Sequence, residues 1–343
     1  MKGKKRLAEI IILCMGMYVL CACSKQKVPV SDKIYVGITC YDQSDTFLSE
    51  LLVCFKEELK ILNQKGIETT MTVRNADRSQ RVQNDQVKEL INAGCNVLCV
   101  NLVDRADPSE IIDVAKEHDV PIIFFNREPV AEDMKQWDKL YYVGADAKQS
   151  GVLQGELAVE MIQKNSQIDH NKDGKIQYVV LEGEAGHQDA IIRTENAVDT
   201  LNQKGIELEK LSYQIANWNR AQAQNRMEQI LGQYKNRVEL VLANNDDMAL
   251  GAMDAYKKLN YTEAVLPVFI GIDGTDMGLK AVEDSMMAGT VYNDKEGQAR
   301  AIAELSAALV TGEEDKIEFS KGNYIYLPYS KVTKENVHEY LRL

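Results

Sequence analysis

Short apolar β runs alternate with stretches of helical spacing along this chain, and the alternation runs through twice. Ile34–Ile38, Thr70–Val73, Val97–Asn101, Ile122–Phe125 and Tyr141–Val143 form the first set of strands, separated by helical segments such as Phe47–Leu62 and Gln80–Ala93. Tyr178–Leu181, Leu211–Gln214, Val238–Ala243, Pro267–Ile272 and Gly289–Tyr292 form the second set. Parallel strands need crossovers and become apolar on both faces, so the repeat predicts two parallel α/β sheets, each with its own core. Ligands in such sheets gather at the carboxyl ends of the strands.

The amino terminus predicts a compartment. Lys2, Lys4, Lys5 and Arg6 form a basic n-region, and Ile10–Leu20 is an apolar run shorter than the roughly 20 residues of a membrane span. Leu20-Cys-Ala-Cys23-Ser fits a bacterial lipoprotein cleavage site with Cys23 as the lipidated residue, so residues 1–22 read as signal peptide and 23–33 as tether. The expected location is extracytoplasmic, with the chain held to the membrane through the lipid only. Losing residues 1–22 removes four basic side chains and one acidic one, taking the net charge from −12 to −15. So acidic a body argues against nucleic acid as a partner. Cys40, Cys54, Cys95 and Cys99 lie in apolar patterns, where free cysteine behaves as a small hydrophobe, although their spacing leaves a disulfide open.

Polar residues follow the predicted strands in a consistent way: Asp45, Asn126, His187, Asp189, Asn245 and Asp273 all stand just beyond a strand's carboxyl end. Taken singly, Asp and Asn there read as turn or helix-cap residues; their shared location points to a site. His187-Gln-Asp189-Ala-Ile-Ile-Arg193 gathers an imidazole, a carboxylate and a guanidinium with no nucleophile among them. Each hydroxyl of a polyhydroxylated ligand is both donor and acceptor, which suits this mixture.

A second motif has hard-cation chemistry. Asp169-His-Asn171-Lys-Asp173-Gly174-Lys175-Ile-Gln177 carries side-chain oxygens at loop positions 1, 3, 5 and 9 with glycine at 6, the EF-hand pattern for calcium. Val180 stands where the loop's closing glutamate belongs, so a carboxylate from elsewhere is needed. Glu239, a charge inside the run Val238–Leu242, is the candidate. Lys175 at position 7 would contribute its backbone carbonyl.

These stretches, with Thr39-Cys-Tyr41 through Asp45-Thr-Phe47, Phe124-Phe-Asn126-Arg-Glu-Pro129, Tyr141-Tyr-Val-Gly144, Gly183-Glu-Ala-Gly-His187, Ala243-Asn-Asn245-Asp246, Gly271-Ile-Asp273 and Ala288-Gly-Thr-Val-Tyr-Asn293-Asp, carry a resemblance. Over essentially the whole mature chain the sequence resembles the galactose/glucose-binding members of the type I periplasmic binding proteins of bacterial ABC sugar transport. The resemblance implies an α/β fold of two Rossmann-like, doubly wound parallel-sheet lobes joined by a three-segment hinge. The crossings would fall near Gly144-Ala145, Tyr292-Asn293 and Pro328-Tyr329, giving a lobe of 34–144 plus 294–328 and a lobe of 145–293 plus 329–343. It implies a galactose or glucose ring held between Phe47 and Trp218 and hydrogen-bonded by Asp45, Asn126, His187, Asp189, Arg193, Asn245, Asp273 and Asn293. It also implies a structural calcium ion on Asp169, Asn171, Asp173, Lys175, Gln177 and Glu239, a monomer, and delivery of sugar to an ABC transporter permease.

Departures from the family pattern are few. Gln188 stands where proline is common, Gln43 differs beside the site, and Lys175 adds a cation near the metal loop. An enzyme alternative, a glycoside hydrolase, would draw a carboxylate pair from Asp45, Asp189 and Asp273, but each has a binding role in the resemblance. A sugar-responsive transcription regulator would need a DNA-binding headpiece where this chain has its signal pattern. A sugar sensor coupled to a chemoreceptor or kinase, or a receptor for another pyranose or a galactoside, is compatible with the same residues.

Overall fold

The computed structural model describes residues 33–341. The expected signal segment 1–22, the lipidation site Cys23 and the tether through residue 32 lie outside the described residues; Lys33, expected in the tether, already belongs to the first strand. Lobe one carries β1 (Lys33–Cys40), β2 (Glu68–Asn75), β3 (Val97–Val100), β4 (Ile122–Phe125), β5 (Leu140–Ala145) and β11 (Tyr324–Leu327) in the order β2-β1-β3-β4-β5-β11, every pair parallel. Its helices are α1 (Thr46–Gln64), α2 (Gln80–Asn92), α3 (Ser109–Glu117) and α9 (Lys295–Thr311). Lobe two orders β6 (Ile176–Glu182), β7 (Leu208–Ile215), β8 (Leu240–Ala243), β9 (Val268–Ile270), β10 (Gly289–Asn293) and β12 (Tyr329–Thr333) as β7-β6-β8-β9-β10-β12. With it go α4 (Ala147–Lys164), α5 (Gln188–Gln203), α6 (Arg220–Tyr234), α7 (Asp246–Lys258) and α8 (Asp276–Glu283).

Each sheet is covered on both faces, which is why its inner strands are apolar throughout. In lobe one Ile34, Val36 and Ile38 of β1 pack with Leu48, Leu51 and Phe55 of α1 and Ile302 of α9, while Leu98 and Ile122 pack on the other side with Leu90 and Ile112. In lobe two Val179 and Val241 meet Met227 and Met248, and Val180 and Leu242 meet Leu157 and Leu201. Each such fully buried side chain contributes on the order of 1.5–3 kcal/mol. In both sheets the strand order reverses beside the first strand, between β1 and β3 and between β6 and β8, the switch points where a crevice opens.

Several expectations need correction. The second sheet is not purely parallel: β12 runs antiparallel to β10. The reason is local, because β11 ends at the cleft and only Pro328 separates it from β12, so the chain enters lobe two at the cleft and runs away from it. Neither β11 nor β12 was expected as a strand. Strands β8 and β9 are shorter than the runs 238–243 and 267–272. Ala145, expected to open the second lobe, pairs with Leu327 in the first sheet. The lobes are thus joined after Ala145, after Asn293 and at Pro328. Cys40, Cys54, Cys95 and Cys99 are buried and form no disulfide among the described residues, with burial pushing Cys40 and Cys95 each up to about 12. No helix among the described residues is long and apolar enough to cross a membrane.

Candidate functional site

Where the carboxyl ends of the two sheets face each other, a cavity is lined by Tyr41, Asp45, Phe47, Asn126 and Arg127 from lobe one and by His187, Asp189, Arg193, Trp218, Asn245 and Asp273 from lobe two. The structure therefore brings together nine of the ten residues expected to hold a ligand. Asn293 stands one layer behind: its side-chain oxygen accepts from Gln298 Nε2 at 2.6 Å, and its side chain hydrogen-bonds Asp273.

Helix starts position three of these residues. Asp45 caps α1, accepting from Leu48 N at 2.9 Å; Asn245 caps α7, accepting from Met248 N at 3.0 Å; His187 caps α5, with Nδ1 accepting from Asp189 N at 3.2 Å. Cap and cavity roles coexist, so the choice between them posed by the sequence does not arise. With Nδ1 used as an acceptor, neutral His187 carries its proton on Nε2. Burial, followed by the charges of Arg127 and Arg193, holds His187 well below its usual range and keeps it neutral. The three helix N-termini also turn the positive ends of their dipoles toward the cavity.

Strain is concentrated here. Asn126, Trp218 and Asp273 have φ of 61°, 59° and 112°, conformations that cost non-glycine residues on the order of 1–3 kcal/mol each and persist only where the surroundings enforce them. Trp218 follows Asn217, also left-handed at 53°, so two consecutive αL residues swing the indole over the cavity. Gly183 makes room for it: a Cβ there would stand 2.1 Å from Trp218 Cζ2. The indole edge meets His187 at 5.3 Å, and Arg193 lies 5.8 Å from the ring centre.

Arg193 is the hub of lobe two. It is 5% exposed and donates to Asn244 O at 2.8 Å and Tyr329 Oη at 3.0 Å, with Asp273 Oδ1 at 3.8 Å. Its Nε has no partner among the described residues. Burial raises Asp189 and, more strongly, Asp273 above the usual carboxylate range, although Arg193 pulls both down. Behind them Asp246, fully buried, accepts from Thr275 N and from the hydroxyls of Thr290 and Thr275, and burial raises it to about 7.

Tyr41 and Arg127 were not singled out from the sequence. Tyr41 Oη donates to Asp45 Oδ2 at 2.7 Å, and Arg127 lies flat over the Tyr41 ring at 3.5 Å while donating to Glu184 Oε2, across the cleft, at 2.9 Å. An aromatic residue at a strand end reads as core, and nothing local marks Arg127 except its place beside Asn126. The cavity thus combines three carboxylates, two guanidiniums, two amides, an imidazole and the apolar faces of Phe47 and Trp218. That mixture matches ring hydroxyls and C–H faces together.

The second motif folds as a closed loop in lobe two, away from the cleft. Lys172 and Gly174 turn it at φ 61° and 80°. Asp169 accepts from Asp173 N and Gly174 N, Asn171 Oδ1 from Asp173 N, and Asp173 Oδ1 from Lys175 N. Glu239 closes the ring, taking His170 N at 2.6 Å and Gln177 N at 3.0 Å. The Asn171 and Gln177 amide nitrogens both point at Asp173 Oδ2, at 3.0 Å each, supplying positive charge among the carboxylates. Turning these amides by half a rotation would present their oxygens instead. Among the described residues no three His, Cys, Asp or Glu side chains form a metal cluster by themselves; the oxygen set here is carboxylate and amide together, which suits a hard cation.

Comparison with known proteins gives a consistent picture. Residues 36–314 match the family model of the periplasmic binding protein domain. Over 312 residues the chain is 38% identical to the D-galactose/methyl-galactoside binding periplasmic protein MglB of Haemophilus influenzae, covering 90% of this chain and 92% of that protein. It is 31% identical to a putative rhizopine-binding protein of Rhizobium meliloti, over 75% of this chain and 78% of the relative. The solved structure of an ABC transporter solute binding protein from Bacillus halodurans with bound myo-inositol aligns with a TM-score of 0.74 at 26% identity, covering 90% and 96% of the two chains. Matched over most of its length and folded as two hinge-joined, doubly wound lobes, the chain belongs to the periplasmic binding protein family and has its type I fold.

Proposed function

We propose that the chain is a lipid-anchored, extracytoplasmic sugar-binding protein that captures D-galactose or D-glucose between its lobes and delivers it to an ABC transporter permease. The observation that carries this reading is the cavity itself, lined from both lobes by hydroxyl-binding groups and two aromatic faces. The identity to a D-galactose/methyl-galactoside binding protein supports the choice of hexose.

Binding works by closure rather than by chemistry. Asp45, Asn126 and Phe47 on one lobe and His187, Asp189, Arg193, Trp218, Asn245 and Asp273 on the other contact one sugar together only when the lobes are shut, so sugar favours the shut state by its differential affinity. Phe47 and Trp218 would take the two ring faces. Asp45, with one oxygen on Leu48 N and the other on Tyr41 Oη, is held rigidly to accept from a ring hydroxyl, and Asp189 and Asp273 accept beside Arg193, with Asn293 steadying Asp273. The permease would read the shut lobes. A calcium ion on Asp169, Asn171, Asp173, the Lys175 carbonyl, Gln177 and Glu239 would pin the loop to the strands that carry the site; it supplies structure and no step of binding.

Isothermal titration of residues 24–343, refolded to strip bound sugar, tests the reading against glucose, galactose, xylose, ribose and arabinose. Tight binding of glucose or galactose, weakened at least roughly 100-fold in Asp189→Ala, where a buried hydrogen-bonded partner is lost, supports it. Absence of binding to both hexoses overturns it.

A further inference from the structure

Lys295 opens α9 at the second crossing between the lobes and is 1% exposed. A buried ammonium persists only with partners. Here Nζ donates to Glu50 Oε2 at 2.5 Å, Gly274 O at 3.1 Å and Asp276 Oδ1 at 3.2 Å. Glu50 lies on α1, which packs against α9 in lobe one, whereas Gly274 and Asp276 belong to lobe two. The Glu50 carboxylate also accepts from Asp276 N at 3.0 and 3.3 Å, so a lobe-one side chain satisfies the first N–H of the lobe-two helix α8. A carboxylate at a helix N-terminus is favoured by the dipole as well as by the hydrogen bond. None of these atoms lines the sugar cavity.

We propose that Glu50 and Lys295 are positioning residues that latch the lobes shut: an ion pair built within lobe one that grips the start of α8 through Gly274 O and both the N–H and the carboxylate of Asp276. The proposal rests on the closure reading given above and adds residues that touch no ligand. Because Glu50 and Lys295 stay together when the lobes part, opening breaks only the contacts to α8, and no isolated charge is stranded. The latch is therefore reversible, and it holds the shut state whichever sugar is inside.

Closure is measurable without sugar. Thr46 Oγ1 of α1 lies 2.5 Å from Asp247 Oδ2 of α7 across the same cleft, so the pair T46C/D247C reports each shut encounter as a disulfide under mild oxidation. In residues 24–343 the native cysteines are Cys40, Cys54, Cys95 and Cys99, all buried, and they do not compete. In this background Glu50→Gln, which keeps the shape and removes the charge, is expected to slow cross-linking about tenfold, the loss of one charge-assisted hydrogen bond. Asp276→Ala, a half-exposed side chain whose removal spares the fold, is expected to slow it two- to threefold, as its N–H still binds Glu50. Stopped-flow release of galactose is expected to quicken by the same factors with association unchanged. Cross-linking of Glu50→Gln within twofold of the parent overturns the latch. If the parent takes up no hexose, the sugar reading fails by itself, and the cross-linking rates still decide the latch.

Discussion

Replacing Arg193 with methionine removes the cation whose charge acts on both Asp189 and Asp273 while keeping most of the side-chain volume. The structure assigns it hydrogen bonds to Asn244 O and Tyr329 Oη and an ion pair with Asp273, all buried. Breaking a buried pair from one side costs about 3–5 kcal/mol, because the remaining carboxylate has lost its compensation. At 2–4 °C per kcal/mol for lobes of this size, the melting temperature should fall by roughly 10 °C at pH 7.5. The pH dependence follows from the sign of the shifts. Asp189 and Asp273 are both raised by burial with Arg193 opposing, so each binds its proton more tightly folded than unfolded. Stability therefore falls as pH rises from the ordinary carboxylate range to the raised values and levels off above them. Without Arg193 those values climb further, so Arg193→Met should regain part of its lost stability at pH 5 relative to pH 7.5. Urea unfolding followed by circular dichroism at both pH values measures it. A loss below about 1 kcal/mol with no pH slope would refute the account of Arg193 as the charge hub.

Three further outcomes are expected. Gly183→Ala drives a methyl into Trp218 Cζ2, so galactose affinity should drop at least about tenfold with the indole emission shifted and the melting temperature little changed; unchanged affinity would mean the indole is not a wall of the site. Calcium should raise the melting temperature over a chelated sample, by about 2.7 kcal/mol of stability at a hundredfold excess over its dissociation constant, and Glu239→Gln should abolish that increment; an increment surviving the substitution would remove Glu239 from the metal shell. His187 is neutral when folded and takes up a proton when unfolded below about pH 6.5, so it costs stability on acidification, up to about 1.4 kcal/mol per pH unit. His187→Gln should flatten the profile between pH 7.5 and 5.5, as read by urea midpoints, and an unaltered profile would place that acid sensitivity elsewhere.

The inner strands were legible because a parallel strand covered on both faces is apolar throughout: Ile122-Ile-Phe-Phe125 coincides with β4 residue for residue. Tyr324–Leu327 and Tyr329–Thr333 were not, since both lie at sheet edges, are partly exposed, and are split by Pro328. The site was legible where chemistry follows a strand end, as for Asp45, Asn126 and Asp273. Tyr41 and Arg127 were hidden because their role depends on each other and on Glu184 across the cleft, a contact no local pattern encodes. Lys295 and Glu50, 245 positions apart, are hidden for the same reason. Asn293 shows the opposite case: the motif includes it, and its side chain stands behind Asp273, hydrogen-bonded to it.

Because the chain passes between lobes after Ala145, after Asn293 and at Pro328, neither sheet can be finished in order of synthesis. Lobe one has five of its strands by residue 145 but receives α9 and β11 only after the body of lobe two has emerged, and β12 follows last of all. Contacts such as β5 with β11 close loops of nearly 180 residues, and such distant pairings slow folding. A chain exported end first would thus wait, with the α1 face of its first lobe uncovered, until its final segment arrives. A truncation that removes residues beyond 293 would leave that face open, however well the first five strands pair.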